Sequence, residues 1–370
     1  MELRNRYRSL DVFRGMDVAL MIIVNTPGDH ATTFSPLLHA KWNGFTLTDL
    51  VFPTFLFVVG TSLSFSLDAY QSGGTQAVLK KVLKRSAIIF LMGYLMYWFP
   101  FVKVMDSGEW IFKPMGETRI LGVLQRIALC YGLATLVIHF WKTRGAWGLG
   151  VAALLAYWIL LTAFGDLTLK GNAVLRFDRW AMGENHLYHG EGLAFDPEGI
   201  LSTLPAVVNV LAGYLAGKYL REKGATYELI AKLLMAGAIL IFIGLSWDLV
   251  FPINKKLWTS SFVVYTTGID IMVLAILVYG MDVWKVKPMT YFFEVLGRNT
   301  LFIYLLSELF AITLDTLPIH EGNLHDWIFV TIFKSVAGGY VGSLLFALSF
   351  MFCCWSVGYW MDRKKIYVKI

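Results

Sequence analysis

Residues 37–67 read "LLHAKWNGFTLTDLVFPTFLFVVGTSLSFSL". The first part gathers His39, Trp42, Asn43 and Asp49, and the 18 residues after Asp49, 50–67, carry no charge. An apolar run of that length crosses a hydrocarbon core as one helix. The stretch therefore reads as a polar motif at the mouth of a membrane span, and the rest of the chain repeats its second half. Of 370 residues, 57% are hydrophobic, 15% aromatic and 16% charged. A water-soluble globule of this composition would expose large apolar areas, whereas a bilayer accepts them. Spans are expected at 10–27, 48–68, 86–102, 119–140, 146–166, 199–217, 229–251, 258–281, 291–315 and 340–361, with a half-helix at 327–338. The expected fold is an all-α polytopic membrane bundle of about ten helices, forming one integral membrane domain over residues 1–370.

The connecting segments orient the bundle, because short cytoplasmic loops collect Lys and Arg. Arg4, Arg6 and Arg8 precede the first span, and Lys80, Lys81, Lys84 and Arg85 follow the second. Lys142 and Arg144 follow the fourth, Lys218, Arg221 and Lys223 the sixth, Lys285 and Lys287 the eighth, and Arg363, Lys364 and Lys365 the tenth. The alternation predicts that both termini are cytoplasmic and that His39 and Trp42 lie at the outer interface. The net charge of +6 is spread over these orientation clusters, not gathered into the stripe that nucleic acid would require. The first run contains Arg14 and Asp17 and no small-residue cleavage site, so it is expected to remain as a span. Cys130, Cys353 and Cys354 all fall inside spans, which argues against a disulfide framework or a thiolate zinc site. The longest connection, 167–198, is too short to build a core of its own.

Ionisable residues inside spans are costly and normally face a polar path or a partner. On the first span Asp11, Arg14 and Asn25 fall within about 60° of one another and climb roughly 21 Å along the axis. The fourth span offers Arg119, Gln125 and Arg126, and the ninth Arg298, Asn299 and Glu308. Internal ion pairs would explain such a track, as would a transporter or an enzyme with one substrate on each side of the membrane. The His39 cluster favours the enzyme. Acyl transfer to an amine needs a neutral imidazole as base, a carboxylate to orient it and amide donors for the oxyanion. His39, Asp49 and the pair Asn25 and Asn43 supply these types. "HLYHGE" at 186–191 invites a metal reading, but it lacks a helical signature and a fourth ligand, so no metal is expected. Glu198 in "DPEG" and Trp42, Lys256 and Trp258 at the outer interface are candidates to bind a sugar, the tryptophans by stacking or as interfacial anchors. His30, His139, His320 and His325 read as interfacial or solvated.

The stretches "RSLDVFRGMDVALMIIVNTPG", "LLHAKWNGFTLTDLVFPTFLFVVGTSLSFSL", "GVLQRIALCY", "FDPEGILSTLPAVVNVLAG" and "PINKKLWTSSFVVYTTG" closely resemble the heparan-alpha-glucosaminide N-acetyltransferase family. The resemblance spans nearly the whole chain. It implies acetyl transfer across a membrane, from cytoplasmic acetyl-CoA to the amine of an amino sugar on the other side, without a metal. It places the active-site histidine in the "HAKWNG" motif, at His39, and a matching asparagine at Asn25. The CoA phosphates would then pair with Arg14 first, and with Arg126 and Lys84, with Gln125 beside them. The resemblance is to the bacterial-type members, which implies an inner-membrane protein among lipid, with a cell-wall or catabolic amino sugar as acceptor. A homodimer is compatible with it.

Overall fold

The computed structural model describes residues 7–71, 74–104, 109–287, 289–319 and 322–368. Arg4, Arg6 and His320 lie outside the described residues. The elements are α1 (Arg8–Asn25), α2 (Leu47–Gln71), α3 (Gly74–Trp98), α4 (Val123–Ala163), α5 (Ala173–Met182), α6 (Ile200–Lys223), α7 (Tyr227–Asp248) and α8 (Ser260–Leu277). A π-turn (Val278–Val283) extends α8, and α9 (Thr290–Arg298), α10 (Thr300–Thr316), α11 (Leu324–Ile328), α12 (Ser335–Ala337) and α13 (Gly339–Arg363) complete the chain. One antiparallel hairpin, β1 (Val102–Val104) and β2 (Trp110–Phe112), pairs Val102 with Phe112 and Val104 with Trp110.

Among the described residues six helices are long and apolar enough to cross a membrane, and α9 with α10, bent by 83°, makes a seventh if the pair is one span. The expected ten exceeds this count for three physical reasons. Within its 18 residues α1 carries Arg8, Asp11, Arg14 and Asp17, which lowers its hydropathy. The first half of α3 holds Lys80, Lys81, Lys84 and Arg85. Its 41 residues make α4 about 60 Å long at 1.5 Å per residue, twice a hydrocarbon core, and its helical geometry breaks at Lys142 (φ 56°, ψ −152°). That break separates the runs expected at 119–140 and 146–166.

The centre of the bundle is α2, α6 and α8, whose apolar windows are about 70% buried, while those of α4 and α7 are 28% buried and face outward. A close crossing fixes the centre. A Cβ on Gly60 of α2 would meet Val210 O of α6 at 2.0 Å, and one on Gly213 of α6 would meet Phe57 O of α2 at 1.9 Å. Without a hydrophobic force between helices in lipid, small residues that admit backbone contact supply the dispersion energy instead. The connection 167–198 holds α5, whose Asp178 accepts hydrogen bonds from Ile200 N and Leu201 N and so caps α6. That cap fixes the segment 196–199 against the bundle end where the polar residues gather.

Candidate active site

The site grows from the first turn of α2. Thr46 and Asp49 form a capping arrangement in which the Asp49 carboxylate returns to the start of the helix. Asp49 Oδ2 accepts from Thr46 N (3.0 Å), Thr46 Oγ1 (3.1 Å) and Ala40 N (3.1 Å). With Oδ2 so fixed, Oδ1 lies 2.7 Å from His39 Nδ1. The Asp49 side chain is 1% exposed and that of His39 44% exposed, so the carboxylate is inaccessible and the ring is open. An aspartate on Nδ1 leaves Nε2 as the free, basic nitrogen.

Lys255 approaches that nitrogen, with its ammonium 3.4 Å from His39 Nε2. Burial pushes the His39 imidazole below its usual value and the Lys255 charge adds to this, against the pull of the Asp49 hydrogen bond. Burial also lowers the Lys255 ammonium, opposed by the charges of Glu198 and Asp49. Glu198 belongs to a second set. Arg119 Nη2 lies 2.6 Å from both Glu198 Oε2 and Asp196 Oδ1, and its Nε donates to Asp196 Oδ2 at 2.8 Å. Tyr97 and Tyr188 place their rings against the Arg119 guanidinium. Burial works to raise the Glu198 carboxyl, but the charges of Arg119 and Lys255 outweigh it and hold it below the usual carboxylate range.

Asn25 joins this end through Glu308, donating from Nδ2 to Oε1 at 3.0 Å, and Tyr304 lies within electrostatic reach of Glu308, Tyr97 and Glu198. Asn43 Oδ1 accepts from Asn254 at 3.0 Å, and Trp42 donates to Leu167 O at 2.8 Å and packs on Phe195. Trp42 and Asn43, with Lys41, Leu169 and Glu191, line a cavity of about 410 Å³. Asn25 lines another of about 390 Å³ with Asp29, His30, Asp315 and His325. Lys256 bonds Glu191 Oε2 at 2.6 Å and Lys41 O at 2.9 Å, tying the 186–191 segment to the "HAKWNG" loop.

Three of the other expected site residues, Trp258, Arg126 and Gln125, are buried in the protein. Trp258, expected at the outer interface as an anchor or a stacking platform, is fully buried between Phe52 and Phe262, with its Nε1 bonded to Asn209 and the Arg126 guanidinium over its ring. Its faces are taken by protein. Arg126, expected near the CoA phosphates, is fully buried at the His39 end, where it donates to Gly199 O and Ser202 Oγ. Gln125 is likewise buried, with its amide against the Gly93 position of α3. Arg14 and Lys84 lie away from this cluster. Eleven residues of α1 separate Arg14 from Asn25, about 16 Å along the axis, and Arg14 bonds Asp11 and Gly297 O. Lys84 is exposed and thirteen residues of α3, about 20 Å, from Tyr97.

Lys255 was missed as a site residue, with only its neighbour Lys256 singled out. Adjacent residues in "NKK" look alike in sequence, and only the turn geometry separates them. Asn254 Oδ1 accepts from Leu257 N and Lys255 O from Trp258 N, and the tight loop sends the two ammonium groups to different partners. Arg119 and Glu308 carried a signal as charges within spans, but their partners did not.

The family described as "Heparan-alpha-glucosaminide N-acetyltransferase, catalytic" matches residues 6–251 of this chain. Among similar proteins, the mouse heparan-alpha-glucosaminide N-acetyltransferase is 30% identical and the human one 29% identical, each alignment covering 82% of this chain and 53% of the relative. The chain thus spans about half the length of these relatives. The matched region includes α1, the His39–Asp49 pair and the Arg119–Glu198 set, and on this match the chain belongs to the heparan-alpha-glucosaminide N-acetyltransferase family.

Proposed function

We propose that this chain is a transmembrane N-acetyltransferase that moves the acetyl group of cytoplasmic acetyl-CoA to the amine of an amino sugar on the outer side of a bacterial inner membrane. The observation that carries the reading is the His39–Asp49 pair, at 2.7 Å, in which the carboxylate is buried and the half-exposed ring turns Nε2 toward Lys255. A sugar amine is a nucleophile only when unprotonated, and Nε2 takes the proton it loses as the N–C bond forms. Asp49 fixes the tautomer and stabilises the imidazolium, a positioning role. Collapse of the tetrahedral intermediate then breaks the C–S bond, and the His39 proton passes to the CoA thiolate. We take the transfer to be direct, within a ternary complex, because Asn25 and the outer cavities present both substrates at one end of the bundle.

In this reading α1 accompanies the extended pantetheine arm from Arg14, beside the phosphates, to Asn25. The two halves of α4, the charged helices α1 and α3, and the bent pair α9–α10 are counted as spans, giving ten with both termini cytoplasmic. Lys41, Trp42, Glu191, Lys256 and Glu198 surround the acceptor.

Two measurements test this. Micromolar acetyl-CoA is expected to raise the melting temperature of the purified protein in detergent, since a ligand at a hundred times its Kd adds about 2.7 kcal/mol. Acetylation of glucosamine or a glucosamine-terminated oligosaccharide should follow. A protein stabilised by glucosamine but indifferent to acetyl-CoA would instead be a sugar carrier. For orientation, cysteines at the exposed positions Ser35 and His189 should react with an impermeant maleimide on intact cells, while one at Gln76 should not. The reverse labelling pattern would put His39 in the cytoplasm.

A further inference from the structure

We propose that Lys255 stabilises the oxyanion of the acyl transfer, its ammonium donating a hydrogen bond to the oxygen that becomes negative when the acceptor amine attacks the thioester carbonyl. This rests on the acetyltransferase reading above and adds a residue to it.

Two neighbouring lysines leave the same turn with different partners. Lys256 is spent on Glu191 and Lys41 O, a structural tie. The hydrogen-bond partner of Lys255 among the described residues is His39 Nε2, at 3.4 Å. A cation at that place weakens the base it faces, because it disfavours the imidazolium. It is useful there only if a negative charge develops beside it during the reaction. The oxyanion is such a charge. Of the amides expected to serve it, Asn25 gives an Nδ2 hydrogen to Glu308, and Asn43 meets Asn254 through its Oδ1 as acceptor. Glu198 and Asp49 hold Lys255 through space without forming a close ion pair, so its protons remain free to donate.

The step balances. The amine lone pair forms the N–C bond, the carbonyl π pair moves to oxygen, and Lys255 hydrogen-bonds that oxygen while keeping its own proton. His39 Nε2 takes the amine proton, the oxyanion re-forms the carbonyl, the C–S bond breaks and the thiolate leaves with the proton from His39.

The test compares wild type, Lys255→Met and Lys255→Arg in acetyl transfer to glucosamine or a glucosamine-terminated oligosaccharide across pH. Melting temperature with and without acetyl-CoA serves as the folding control. His39 is faced by Asp49, Lys255 and Glu198, and Lys255 by Glu198, Asp49, Arg126 and Lys256. Lys255→Met is expected to lower kcat by about 10²–10³, as loss of one oxyanion donor does, with KM for acetyl-CoA nearly unchanged. Its acidic pH limb should move to higher pH, because the cation that depresses His39 is gone. Lys255→Arg should keep the limb and recover part of kcat. A well-folded Lys255→Met protein with wild-type kcat and limb, or equal losses in both variants without a shift of the limb, would overturn the assignment while leaving the acetyltransferase reading standing. Absence of transfer by the wild type would overturn both.

Discussion

His39→Ala is expected to lower acetyl transfer by about 10²–10⁴, the contribution of a positioned general base, while the protein still binds acetyl-CoA in a thermal-shift assay. The imidazole is half-exposed and its one strong tie is to Asp49, so the substitution leaves the α2 cap intact. In the wild type, transfer requires neutral His39. The imidazole sits below its ordinary value of about 6.5, so activity should already be high near neutral pH and fall only as pH drops through a lower value. Asp49→Asn should slow transfer less than His39→Ala, since the base remains but its tautomer is no longer imposed. That change also sets an amide where three donors converge on Oδ2, and a modest loss of stability should accompany it. Full activity in folded His39→Ala protein would remove the imidazole from the chemistry.

Arg119→Ala should produce the largest loss of stability of any single change at this end. The Arg119 side chain is 14% exposed, and its partners Asp196 and Glu198 are 0% and 9% exposed. Removing one partner of a buried ion pair leaves uncompensated charge and costs about 3–5 kcal/mol. Here two carboxylates are stranded. The defect should show as a lower melting temperature in detergent, and its pH dependence has a definite sign. Glu198 is held below the usual carboxylate range, so its contribution is present at neutral pH and lost as pH falls through that depressed value. The gap between variant and wild type should therefore narrow in acid, as Glu198 protonates. A gap that stayed constant from neutral to acidic pH would show that Arg119 acts by packing on Tyr97 and Tyr188, not by charge.

Several features follow from the sequence alone because they depend on near neighbours. The run after Asp49 is apolar for one bilayer thickness, so α2 had to be a span wherever it packed. The basic residues Lys142 and Arg144 between two apolar runs separated the halves of α4, and the basic loops gave an expected orientation. The pairing of His39 with Asp49 was legible too, since only ten residues part them and a capping turn brings them together. What tertiary structure decided is every contact that joins distant segments. Lys255 reaches His39 across 216 residues, Glu308 reaches Asn25 across 283, and Arg119 gathers Asp196 and Glu198 across 77 and 79. The same holds for Trp258 and Arg126, whose residue types suggested a wet interface and a phosphate. Hydropathy reports the depth of a residue along a span, but not which way its side chain points around the helix or what packs against it. Those angles are set by the crossings of α2, α4, α6 and α8. They bury Trp258 and Arg126 against each other and leave Lys255, one turn of loop away, facing the base.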